Sequence, residues 1–279
     1  MSLLSENFNV LIYSSMKTKT NTTVGALAAL LVTSASYAGA PAPAVSTPES
    51  GLGVTGTAGL SIASGYVFRG QVLSDKVTYS PTLNLSLPVD LSVLGVDNAA
   101  VQLQTTQVVT QNAPTAGWFR SETSLGVQLT KGVFVVTPSY QVFNSPNNKF
   151  DTAQGVGVKV GVKDCCALGL RPYGQAFFGT GGNANNGSSS GSFYEFGVAP
   201  SFKVGSTTVS TPAAIGVGAG NYYAGNNTYG YTTVGVRTST PLTKDLNLTA
   251  GVDYWNTPNA LGNSQKNNVI TSVGVTFSF

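Results

Sequence analysis

Apolar residues alternate with small or polar ones along most of the chain beyond residue 54. The last segment shows this most plainly: Val269, Thr271, Val273, Val275, Phe277 and Phe279 share one parity, and Ser272, Gly274, Thr276 and Ser278 share the other. Near residue 160, Val156, Val158, Val160 and Val162 alternate with Gly157, Lys159, Gly161 and Lys163. A period of two belongs to a β-strand whose faces meet different surroundings, and no helix has it. The same pattern predicts strands near 56–71, 78–90, 98–109, 118–130, 132–143, 153–163, 167–178, 192–204, 207–219, 230–240, 245–255 and 268–279.

The connections between these segments alternate in length. Short ones fall at Thr130-Lys131-Gly132, Lys163-Asp164-Cys165-Cys166, Gly205-Ser206 and Leu242-Thr243-Lys244-Asp245, and longer ones at 111–117, 144–151, 179–191, 221–230 and 256–267. Membrane barrels of bacteria have short periplasmic turns and longer external loops, and this order puts both chain ends on the periplasmic side. The connection at 91–96 is apolar and longer than a periplasmic turn requires. The expected fold class is all-β, a transmembrane antiparallel up-and-down β-barrel of about twelve strands, an even number, over residues 54–279.

Composition narrows the choice. Charged residues make up 9% of the chain, about a third of the share usual in a water-soluble domain. The apolar run at 24–32 is too short to cross a bilayer as a helix, and mean hydropathy is only +0.12. Arg69, Arg120, Glu122, Lys159, Arg171, Glu195, Lys203, Arg237 and Asp253 all fall on the parity opposite the apolar one. Arg or Lys on the lipid face near the midplane costs about 2–4 kcal/mol, so these nine are expected to face the lumen, lining a pore or fixing strand register. A soluble sandwich would carry a heavily charged wet face, whereas here that face is mostly Gly, Ser, Thr, Asn and Gln. Aromatic pairs (Tyr66 with Phe68, Trp118 with Phe119, Phe177 with Phe178, Phe193 with Tyr194, Tyr222 with Tyr223, Tyr254 with Trp255) sit near strand ends, where interfacial girdles form.

Upstream of the barrel, Met16-Lys17-Thr18-Lys19 is a basic start, 24–32 an apolar centre, and Ser36-Tyr37-Ala38 a small-residue cleavage site. This predicts a signal peptide at 16–38 behind an upstream extension at 1–15, followed by a flexible Ala/Pro-rich leader at 39–53. Net charge is +3, and removing Glu6, Lys17 and Lys19 with residues 1–38 leaves +2. With no basic run, no nucleic-acid partner is expected. Cys165 and Cys166 are adjacent, so they cannot join distant parts of the fold, and they read as turn residues able to form a vicinal disulfide. The chain has no His. That removes hydrolysis by Ser–His or Asp–His pairs, and no catalytic, metal or cofactor site is expected.

The segment Ser64-Gly65-Tyr66-Val67-Phe68-Arg69-Gly70-Gln71-Val72-Leu73-Ser74-Asp75, continued by Tyr79-Ser80-Pro81-Thr82-Leu83, resembles the opening strands of the TorF-type porin family. The resemblance implies an outer-membrane, porin-like protein. On a wall strand Tyr66 and Phe68 would face lipid and Arg69 the lumen, where Arg69 would pair with an interior carboxylate and pin register, the alternative being a role in solute selection.

The function expected is passive diffusion of small hydrophilic solutes or ions across the bacterial outer membrane. The alternative is a structural or adhesive barrel whose salt-bridged lumen conducts nothing. Partners expected are outer-membrane lipid and, through the last strand with Phe277 and Phe279, the barrel-assembly machinery; oligomeric state stays open. Glu122, Glu195 and Asp253 read as partners for Arg120, Arg171 and Arg237, and the Gly/Ser/Asn stretch at 181–190 as an external loop able to fold inward as a constriction.

Overall fold

A computed structural model describes residues 53–111, 117–163, 169–181, 191–220, 222–223, 228–258 and 266–279. The extension, the signal peptide, nearly all of the leader, both cysteines and the stretch 182–190 lie outside the described residues.

The wall is built from β1 (Thr55–Ala63), β4 (Thr78–Val89), β5 (Asn98–Thr110), β6 (Gly117–Lys131), β7 (Phe134–Asn144), β8 (Ala153–Val162) and β9 (Tyr173–Gly181). It continues through β10 (Ser192–Val198), β11 (Ser201–Val204), β12 (Thr207–Ser210), β13 (Ala213–Ala219), β14 (Tyr229–Pro241), β15 (Leu246–Asn256) and β16 (Asn267–Ser278). Two further strands, β2 (Tyr66–Phe68) and β3 (Gln71–Ser74), form a separate hairpin. Every wall strand pairs antiparallel with its neighbours, and β1 pairs with both β4 and β16, so the sheet closes. β10 with β11, and β12 with β13, are each one strand broken at Pro200 and Pro212, which have no N–H to give the ladder. Counting each broken strand once, the described residues form a closed barrel of twelve strands. At the seam the Gly56 N–H donates to the Phe279 carbonyl at 2.8 Å and the Phe279 N–H to the Gly56 carbonyl at 3.0 Å.

The alternation in the sequence maps onto the two faces of this wall. On β16, Val269, Thr271, Val273, Val275 and Phe277 are exposed on the outer face, while Ile270 is buried within. Arg120, Glu122, Lys159, Glu195, Lys203, Arg237 and Asp253 take the inner parity, opposite exposed outer residues such as Leu125, Val160, Phe196, Phe202, Val236 and Val252. Among the described strand residues, the outer parity carries one charge, Lys131 at the rim, paired with Asp97. We expect Val273→Arg to destabilise the folded barrel in vesicles by about 2–4 kcal/mol in a urea titration, because the guanidinium would sit at mid-wall on the outer face. Ser272→Arg, one residue away on the inner face, should cost less than half as much.

Three segments differ from their sequence reading. The strand expected over 56–71 ends at Ala63, and residues 64–77 form an insertion between Ala63 and Thr78, which are paired neighbours in the wall. The strand expected from 167 starts at Tyr173, since Gly169 and Arg171 have positive φ (54° and 45°) and Pro172 cannot donate to a ladder. The apolar connection at 91–96 holds a 3₁₀ turn, Ser92–Leu94, closed by Gly95 at φ 70°. Its Val93 and Leu94 stand exposed at the rim, and the Ser92 backbone N–H holds the Asp90 carboxyl below the usual carboxylate range.

Candidate functional site

The β2–β3 hairpin is the first loop on the long-loop side, and it turns inward. Arg69 and Gly70 make its tip with φ of 48° and 84°, a conformation open to Gly but unusual for Arg. Tyr66, Val67 and Phe68 are all buried, at 2%, 1% and 5% exposure. Three buried residues in a row signal an element enclosed on both faces, whereas a wall strand buries every second one. Tyr66 and Phe68 therefore lie inside the barrel, which corrects their placement toward lipid.

The hairpin spans the lumen. At its base the Ser74 hydroxyl meets that of Thr110 on β5 at 2.8 Å. At its tip Gly70 abuts the backbone of Gly230 on β14 so closely that a Cβ there would collide, and the Tyr223 hydroxyl donates to the Arg69 carbonyl at 2.8 Å. Around it the wall supplies an inner layer of buried side chains: Phe119, Phe143, Phe177, Phe193, Tyr231 and Trp255. Each lies at the long-loop end of its strand. Four of the aromatic pairs noted in the sequence split across the wall, with Trp118, Phe178, Tyr194 and Tyr254 outside and Phe119, Phe177, Phe193 and Trp255 inside. A bulge between β5 and β6 turns both Phe119 and Arg120 inward. The signal for the inner layer was present in the sequence, because neighbouring aromatics on one strand must point to opposite faces.

Two guanidinium groups sit in this layer. Arg69 lies 4.1 Å from the Phe177 ring centre, 4.9 Å from Phe68 and from Phe193, 5.2 Å from Phe143 and 5.7 Å from Tyr222. It donates to the Tyr222 hydroxyl at 2.6 Å and to Gln141 Oε1 at 3.2 Å. Among the described residues no carboxylate forms an ion pair with it; rings and neutral acceptors hold it. Arg120 lies 3.6 Å from the Phe68 ring centre and 4.8 Å from that of Phe143, and it pairs with Glu122 at 2.6 Å. Tyr66 donates its hydroxyl to Glu122 as well, tying the hairpin to that pair.

The remaining lumenal charges form a second tier. Glu195, 2% exposed, accepts from the Tyr173 hydroxyl and from Gln175 Nε2, both at 3.0 Å, and from the Tyr231 hydroxyl. Lys159 lies 4.9 Å from the Tyr173 ring, and Arg237 pairs with Asp253 at 3.0 Å. The pairing expected between Glu195 and Arg171 does not form, since Arg171 lies in the turn before β9 and phenol and amide donors fill the carboxylate's shell. Lys203 is exposed on β11 near the short-turn rim. Phe277 and Phe279 lie on the outer face with rings stacked at 6.2 Å.

Beyond these tiers, toward the short-turn end, the lumen wall retains contact with solvent. Gln104 is exposed, and Asn84, Gln102, Ser124, Thr137 and Ser139 are partly so, all on the inner parity. The inner faces of β1, β4, β5 and β16 carry no charged residue, only hydroxyls, amides, Gly and apolar groups.

This is the fold of an outer-membrane β-barrel. No protein-family model and no curated protein matches the chain. Among solved structures it is similar to an outer membrane channel from Pseudomonas putida F1, with 11% identity and a TM-score of 0.55 over 86% of this chain and 99% of that one. It also matches the NanC porin (14% identity, TM-score 0.49, 79% of this chain and 100% of that one). A further match is the outer membrane phospholipase A of Escherichia coli (13% identity, TM-score 0.46, 80% and 95%).

Proposed function

We propose that this protein is a porin-like channel of the bacterial outer membrane, passing small hydrophilic solutes or ions. The observation that carries the reading is the solvent-accessible, hydroxyl- and amide-lined inner wall of a closed twelve-strand barrel whose outer wall is apolar. Such a lining replaces part of a solute's hydration shell without fixing a counter-ion. The fold shared with the Pseudomonas putida channel supports it, and the Tyr66-Val67-Phe68-Arg69-Gly70 segment supports kinship with the TorF-type porins. The reading includes a non-catalytic role: the chain has no His, and Glu122, Glu195 and Asp253 are engaged by guanidinium, phenol or amide donors. Phe277 and Phe279 on the last strand are the residues through which the barrel-assembly machinery would take hold.

The hairpin confines this path at the external end, so the native channel is expected to open briefly and close for long intervals. Five lumenal bases (Arg69, Arg120, Lys159, Lys203, Arg237) against three acids give a weak anion preference. Single-channel recording of protein purified from outer membranes, with a salt gradient, should show discrete steps and a small reversal potential of that sign. Silence from protein shown to be folded and inserted would instead support the non-conducting structural barrel.

A further inference from the structure

The rings around Arg69 belong to two different parts of the molecule. Phe68 travels with the hairpin; Phe143, Phe177 and Phe193 belong to β7, β9 and β10, and Tyr222 to the segment after β13. With the hairpin lifted, those four rings, the Tyr222 hydroxyl and Gln141 Oε1 remain as a cup lined by π-faces and two acceptors. Glu195, on the same face of β10 as Phe193 and two residues along, places a carboxyl group beneath it. Rings at 4.1–5.7 Å around a cation form the arrangement that recognises organic cations. The planar fork of a guanidinium also matches the two acceptors, which a compact ammonium does not.

We propose that this cup is a binding site for guanidinium-type organic cations, and that Arg69 is its ligand supplied from within the chain. Among the described residues the hairpin forms a two-stranded sheet of its own, separate from the wall. Its root residues Asp75, Lys76 and Val77 are exposed, and Gly65 lies at the other root. A free guanidinium solute that takes the cup displaces Arg69 and releases the hairpin. The gating consequence rests on the channel reading; occupancy of the cup does not.

The test is chemical rescue. Arg69→Ala should lower the melting temperature of the purified full chain in micelles, and millimolar ethylguanidinium should recover at least half of the loss. Ethylammonium should need about tenfold more, and ethylurea, neutral and of similar shape, should do nothing. Wild type, its cup already filled, should shift little at the same concentrations. No recovery, or equal recovery by ethylurea, overturns the proposal, as does an equal shift in wild type. Should Arg69→Ala fail to assemble, Arg69→Lys leaves the cup partly filled and must show the same order of ligands. In bilayers, at concentrations above those of the melting assay and high enough to compete with Arg69, ethylguanidinium should lengthen wild-type openings. Silence of all forms counts against the channel alone, because the melting shift reports the cup independently.

Discussion

Replacing residues 66–74 with a short Gly-Ser link raises the single-channel conductance on the order of tenfold and removes the long closures, an expectation that follows from a wide aqueous path replacing a filled layer. The replacement is feasible because Ala63 and Thr78 are already paired across β1 and β4, so a tight turn joins them without touching the wall. The hairpin's burial of Tyr66, Val67 and Phe68, each worth about 1.5–3 kcal/mol when fully enclosed, opposes its release in the native protein. Deletion removes that barrier, leaving the wall ladders intact. The deleted barrel should still migrate as a folded species and resist urea, although Arg120 loses the Phe68 ring and Glu122 loses the Tyr66 hydroxyl. Conductance unchanged by the deletion would mean that the hairpin does not set the width of the path.

A second large effect is expected at Glu195. Its carboxylate accepts from Tyr173, Gln175 and Tyr231 in a region 2% exposed to solvent. Glu195→Ala leaves those donors without an acceptor, and each buried orphan costs about 1–3 kcal/mol. A loss of roughly 3–5 kcal/mol in urea unfolding is the expected result, even allowing for relaxation of the Gln175 side chain. Glu195→Gln keeps one carbonyl oxygen and should lose about half as much. Equal losses for the two variants would show that volume, and not the acceptor, matters at this position.

Much of this architecture was legible because a barrel wall imposes a strict parity on its strands. The bounds of β4, β5, β6, β8, β14, β15 and β16 lie within one or two residues of the segments that alternate in the sequence. The hairpin was not legible for a physical reason. Tyr66-Val67-Phe68 favours extended backbone equally well in a wall and in an infolded loop, so local preference extended β1 through it. The informative residues were Arg69 and Gly70, whose left-handed backbone turns the chain back on itself. Likewise Pro172 marked the late start of β9, and only the start of that strand decided that Arg171 is a turn residue and not part of the wall. The inner aromatic layer was half visible. Pairs such as Phe177-Phe178 and Tyr254-Trp255 suggest an interfacial belt, but adjacent positions on a strand cannot both face the belt. The Arg69 cage itself brings together β7, β9, β10 and the segment after β13, a juxtaposition that follows only from closure of the sheet.

The two tryptophans of the chain report on the apolar outer belt and on the aromatic layer that, with the hairpin, closes the external end of the lumen between openings. Trp118 is on the outer face at 52% exposure and Trp255 in the inner layer at 1%. Fluorescence quenching of the single-tryptophan variants Trp255→Phe and Trp118→Phe in vesicles, by brominated lipid and by aqueous acrylamide, separates the two environments. Strong lipid quenching is expected for Trp118, and for Trp255 neither lipid nor acrylamide quenching of note. Strong quenching of Trp255 by brominated lipid would contradict the placement of the inner layer, and strong quenching by acrylamide would contradict a sealed one.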